Sequence, residues 1–220
     1  MGGSEAARGQ GEHGEEASAL QLFQIERIRV VTIKDMQIEN LTAIYRMALG
    51  LERWFPNNNS VFAYGTRLCE ETGELVEALI DIHDSGINDE SKHHLVKEIE
   101  DVLQVITGIL GIYRLNERLP KDLSGFKTAE TQRLVTKNDI ITISVCAGQF
   151  ADAINYMESQ GIKKQKRGNN PDERLLETAR SFICQIMLFL QQYDLMSDLE
   201  EQIKKDYLTL ADEGFIELTS

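Results

Sequence analysis

Arg67–Asp81 reads RLCEETGELVEALID, and Val96–Leu110 reads VKEIEDVLQVITGIL. In the first stretch Leu68, Leu75, Leu79 and, just beyond it, Ile82 recur at the period of one helix face. The second lies in a run from Val102 to Leu115 that is apolar nearly all round, the mark of a buried helix. These patterns predict helices over about 61–82 and about 91–117. Ser60 caps the first, Asp89 or Ser91 the second, and Pro120 stops the second. His83 to Asp89 reads as a loop that lets the two helices pack antiparallel.

Upstream, Leu41, Ile44, Tyr45, Ala48 and Leu51 predict a helix over about 36–53, ended by the loop chemistry of Trp54-Phe55-Pro56-Asn57-Asn58-Asn59. Residues 1–18 hold little that can be buried and read as a disordered tail. Residues 19–34 fit either a short helix or an extended arm, and a final helix is predicted over about 196–212. The fold class is therefore all-α, a helical bundle. Residues 19–120 are expected to form one unit, 121–137 a connector and 138–220 a second unit.

A chain of 220 residues with 42% apolar and 27% charged residues can build a globular core of one large or two small domains. No run of 18 apolar residues is present, so no membrane span is expected, and residues 1–18 lack the apolar stretch of a secretory signal. A net charge of −13 argues against polymeric nucleic acid, whose binding depends on phosphate neutralisation. A small phosphorylated ligand remains open, because a metal ion can bridge carboxylate to phosphate. Cys69, Cys146 and Cys184 are odd in number and far apart, and read as buried reduced thiols of a cytoplasmic protein.

Glu71 and Glu74 are three apart and share a helix face, as do Glu98 and Asp101. The pattern is E-x-x-E, 23 residues, then E-x-x-D. Most helical glutamates are solvated surface groups. Here, however, the Glu98/Asp101 stripe continues as Val105, Gly108, Ile109 and Ile112, which aims the carboxylates at the bundle interior. No lysine or arginine lies on the interior face to pair all four, and facing carboxylates raise one another's pKa. A divalent cation relieves this. With hard oxygen donors and no His or Cys, Mg²⁺ or Mn²⁺ is favoured over Zn²⁺. A ferritin-like di-iron centre needs two Glu-x-x-His motifs, and only Glu90/His93 is present.

The paired segments resemble the all-α nucleoside triphosphate pyrophosphohydrolases: the MazG proteins, the dimeric dUTPases, the dCTP pyrophosphatases and phosphoribosyl-ATP pyrophosphohydrolase. The likeness rests on E-E-x-G-E-L with E-x-x-D-V-L and covers about 36–117. It implies a bundle of the MazG type in which Glu71, Glu74, Glu98 and Asp101 bind Mg²⁺. The ions hold a triphosphate, and an activated water attacks the α-phosphorus, releasing a nucleoside monophosphate and pyrophosphate. Glu70 is the implied general base, and Glu71 the other implied catalytic carboxylate. The resemblance also implies a role in nucleotide-pool house-cleaning. The alternatives are a non-catalytic nucleotide-sensing or partner-binding module that retains the metal site, and the phosphoribosyl-ATP activity.

The second half echoes the first. Leu95, Ile106, Leu110, Tyr113 and Leu115 recur as Leu175, Ile186, Leu190, Tyr193 and Leu195 at an offset of 80, and Gly73–Leu79 resembles Gly148–Ile154 at an offset of 75. This reads as an internal duplication. It places Cys146, Gln149, Thr178 and Ser181 at the four ligand positions, so the second unit is degenerate. A monomeric pseudo-dimer, or a homodimer, is expected. For the nucleoside, Trp54 with Asn57 or Asn58 is a candidate for stacking and hydrogen bonding, with an aromatic plug over the bundle end as the plain alternative. For the phosphates the candidates are Lys163, Lys164, Lys166 and Arg167, with Arg114, Arg118 and Lys121 comparable. His93 and His94 read as helix-start residues.

Overall fold

The computed structural model describes residues 39–55, 60–126, 136–158 and 170–217. Among these there are six α-helices and no strand. The helices are α1 (Asn40–Trp54), α2 (Val61–Ser85), α3 (Asp89–Ile112), α4 (Lys137–Glu158), α5 (Pro171–Gln192) and α6 (Met196–Asp212). Residues Glu39–Ser220 cluster as one compact unit. None of the described helices is long and apolar enough to cross a membrane.

The centre is α3, which packs against α1, α2, α5 and α6, while α4 packs against α2 and α5 and α1 against α6. Val102, Leu103 and every residue from Val105 to Leu110 are buried. The predicted seam of α2, Leu68, Leu75, Leu79 and Ile82, is buried opposite them. Close approach depends on Gly108: a Cβ there would lie 2.6 Å from the Tyr64 hydroxyl of α2. That hydroxyl donates to Glu52 Oε1 at 2.5 Å, which fixes the ring in the gap.

Ser60 caps α2 as expected, accepting from the Ala63 amide at 3.0 Å. The helix runs one turn further than predicted, to Ser85, and ends at Gly86 with φ +81°, a conformation that glycine adopts without penalty. The cap of α3 is Asn88, which forms a reciprocal capping box with Ser91. Only three residues thus join the helices of this first hairpin.

Pro120 is not what stops α3. The helix ends at Ile112, Arg114 turns left-handed at φ +57°, and the Leu115 amide donates back to the Leu110 carbonyl at 2.8 Å. A short 3₁₀ turn follows at Asn116–Arg118. The second hairpin, α4 with α5, ends the same way: Asp194 has φ +53° and the Leu195 amide donates to the Leu190 carbonyl at 2.8 Å. A non-glycine residue in this conformation is uncommon, and here it occurs twice at the same 80-residue offset.

Candidate metal centre

The first hairpin brings Glu71 and Glu74 of α2 against Glu98 of α3, with one carboxylate oxygen of each within 4.8 Å of the others. Glu98 is 2% exposed and the Glu71 side chain 13%. Asp101 is half-buried on the same side of α3, and Glu74 is exposed. The four thus line a recess between two helices, deepest at Glu98, rather than an enclosed interior.

Each half of Glu98 has a different environment. Its Oε1 accepts from the Lys97 ammonium at 3.1 Å and lies 3.4 Å from His94 Nε2. Its Oε2 is buried without a hydrogen-bond partner. Burial is the first cause that raises the Glu98 pKa, with Lys97 opposing it and Glu74 and Asp101 adding to it. Glu71 is pushed up to about 7, first by burial, then by the Asp101 charge, against the pull of Arg67.

Cations close to the carboxylates correct the sequence reading. Lys97 Nζ lies 2.9 Å from Asp101 Oδ2 as well as against Glu98, and Arg67 lies 3.7 Å from Glu71 Oε1. Both pairs use the i, i+4 spacing, on the rim rather than the interior face. His94, read as a helix-start residue, is also an i, i+4 neighbour of Glu98.

The donor set fits a hard divalent cation. Oxygens that share one Mg²⁺ lie roughly 3 to 4 Å apart, so side-chain adjustment brings three groups already within 4.8 Å onto one ion. A buried carboxylate oxygen without a hydrogen-bond donor is costly, and a bound cation would offset that cost. Glu71, Glu74 and Glu98 would hold the ion, with Asp101 beside them and released from Lys97 to join. Glu70 is exposed one position off this face, where it meets solvent.

Among the described residues, the other candidates are not brought to this recess. Trp54 meets Phe215 edge-on at 5.6 Å and Phe55 stacks on the same ring at 6.2 Å, an aromatic cluster at the end of α1. Asn57, Asn58, Lys163, Lys164, Lys166 and Arg167 lie outside the described residues. Arg118 pairs with Glu173, and Lys121 with Glu39 at 3.5 Å, so both serve as surface ion pairs. Arg114 is exposed at the turn after α3. Of the cysteines, Cys146 is buried, Cys184 is half-buried and Cys69 is exposed, against the expectation that all three are buried.

The second hairpin carries other chemistry where the first carries carboxylates. Cys146 is buried, Gln149 and Ser181 are exposed, and the Thr178 hydroxyl donates to the Arg174 carbonyl at 2.9 Å. Arg174 of α5 pairs with Asp152 of α4 at 2.7 Å, an ion pair between the helices.

Sequence reasoning missed Glu100. It is 1% exposed, and burial, followed by the charge of Asp206, pushes its pKa to about 8. Asp206 in turn accepts from Gln202 at 2.7 Å. The signal was present: Val96, Leu103 and Thr107 share the Glu100 stripe, and all are buried.

Comparisons with protein-family models, with curated proteins and with solved structures found no match to this chain.

Proposed function

We propose that the chain is a Mg²⁺-dependent nucleoside triphosphate pyrophosphohydrolase of the MazG type, acting on (d)NTPs in the cytoplasm as nucleotide-pool house-cleaning. The observation that carries this reading is the convergence of Glu71, Glu74 and Glu98 within 4.8 Å of one another, with Glu98 buried and its Oε2 lacking a hydrogen-bond donor. An acidic recess repels a triphosphate by itself. When bound, Mg²⁺ or Mn²⁺ supplies the positive charge for the phosphate oxygens and lowers the pKa of a water.

The chain's own groups do the rest. Glu71, Glu74 and Glu98, with Asp101, hold the cation, and the rigid α2–α3 hairpin orients them. Glu70, the exposed neighbour of Glu71, is the proposed acceptor of the attacking water's proton. The water oxygen bonds to the α-phosphorus as the α–β anhydride bond breaks, and pyrophosphate leaves.

Tandem organisation is part of the proposal. The matching turns after α3 and α5 support a duplicated hairpin, and the ion pair Arg174–Asp152 supports a second unit kept for packing. Such a chain would act as a monomeric pseudo-dimer or as a homodimer.

Pyrophosphate release from a panel of NTPs and dNTPs, and from phosphoribosyl-ATP, tests the activity. Release should require Mg²⁺ and fall by about a hundredfold or more in Glu74→Ala and Asp101→Ala. A second reading, a non-catalytic sensor that retains the site, draws on the Lys97 bridge that already ties Glu98 to Asp101. It gains if no nucleotide is hydrolysed while one raises the melting temperature.

A further inference from the structure

Lys97 sits at the edge of the acidic recess, one residue before Glu98 and four before Asp101. Its ammonium donates to Glu98 Oε1 at 3.1 Å and to Asp101 Oδ2 at 2.9 Å. The side chain is nonetheless 54% exposed. Its partners are less exposed, Glu98 at 2% and Asp101 at 25%, so both carboxylates need a positive charge in its place when it leaves. Lysine is a compact point charge on a flexible stem. Once a cation takes over the two carboxylates, a rotamer change frees the ammonium into solvent. Meanwhile Glu98 Oε2, the other oxygen of the carboxylate, accepts no hydrogen bond from a donor group.

An oxygen that serves a metal ion and an ammonium together serves each less well, because the two positive charges repel. Lys97 and a divalent cation thus compete for Glu98 and Asp101. A displaced ammonium stays tethered within a side-chain length of the recess. There it faces whatever anion the cation has drawn in, and its charge sign suits a polyphosphate.

We propose that Lys97 is a displaceable counter-ion of the carboxylate cluster, exchanged for the divalent cation and then presented to the triphosphate as a positioning residue. The inference rests on the metal-site reading above. It makes Lys97 work in opposite directions on two ligands: it weakens binding of the ion and strengthens binding of the nucleotide. A lysine that merely stabilised the helix would change neither in this pattern.

The test uses the full chain stripped with chelator, in wild-type, Lys97→Gln, Lys97→Arg and Glu74→Ala forms. Mn²⁺ alone is titrated first, with free Mn²⁺ read by its paramagnetic resonance signal. Calorimetry with α,β-imido dNTPs at saturating Mn²⁺ follows. Lys97→Gln should bind Mn²⁺ about three- to tenfold tighter than wild type, and bind the best imido analogue more weakly by a similar factor. Lys97→Arg, which keeps the charge, should restore nucleotide affinity. Equal or weaker Mn²⁺ binding by Lys97→Gln overturns the exchange, and unchanged nucleotide affinity overturns the positioning role. Wild type that binds no Mn²⁺ overturns the metal site itself, and the Glu74→Ala control separates site binding from surface binding.

Discussion

Glu71→Gln should make the metal-free protein more stable while removing its response to metal. The Glu71 carboxyl is pushed from its ordinary value near 4.5 up to about 7 by burial and by Asp101. The folded state therefore holds the proton more tightly than the unfolded state does. A raised carboxyl pKa is neutral to stability below the unfolded value and costs progressively more as pH climbs from about 4.5 to about 7, with the full cost above that. A displacement of this size corresponds to about 3 kcal/mol. Partial solvent access and loss of the Arg67 pair bring the expected gain from glutamine to about 1–2 kcal/mol. For a chain of this length that is about 2–8 °C in melting temperature. The assay is thermal unfolding in chelator at pH 8 and pH 5, then at pH 8 with Mg²⁺. The variant should melt higher than wild type at pH 8 without metal, and the gap should shrink at pH 5. With Mg²⁺ the order should reverse, since only wild type keeps all its ligands. A variant that melts lower at pH 8 in chelator, by the same margin as at pH 5, would make Glu71 an ordinary carboxylate held by Arg67 and refute the reasoning.

Glu100→Gln should stabilise the chain above about pH 5, by about 1–3 kcal/mol near pH 8, because glutamine mimics the protonated carboxyl that faces Asp206; chemical denaturation at pH 5 and pH 8 checks the trend. Gly108→Ala should destabilise by about 1–3 kcal/mol, since its Cβ would strike the Tyr64 ring on α2; Gly73→Ala, where a Cβ meets nothing within 4 Å, is the matched control. Light scattering after size exclusion should give a monomer or a dimer, and an obligate tetramer would count against the second hairpin as the partner of the first.

Helix content was legible because its signals are local. The α2 seam of Leu68, Leu75, Leu79 and Ile82, and the continuous apolar face of α3, follow from spacing alone. Where the helices end was less legible. The left-handed Arg114 that ends α3 carries no sequence mark, whereas Gly86, which does, lay unused inside the predicted loop. At the site, the pairing of Glu71/Glu74 with Glu98 depended only on helix phase and a short hairpin, and the structure brings them together. The contribution of Lys97 was hidden because a flexible stem lets a rim residue reach back over its own helix, which a helical-face argument does not register. Trp54 illustrates the opposite limit: its partner Phe215 is distant in sequence, so no local pattern distinguishes an aromatic plug from a base-stacking surface.

Anomalous diffraction from crystals soaked in Mn²⁺ tests the central claim most directly. The account predicts a peak bounded by the carboxylates of Glu71, Glu74 and Glu98, with Asp101 turned toward it, and no such peak in Glu74→Ala. A wild-type map with Mn²⁺ only at scattered surface acids, and this recess still bridged by Lys97, would contradict it.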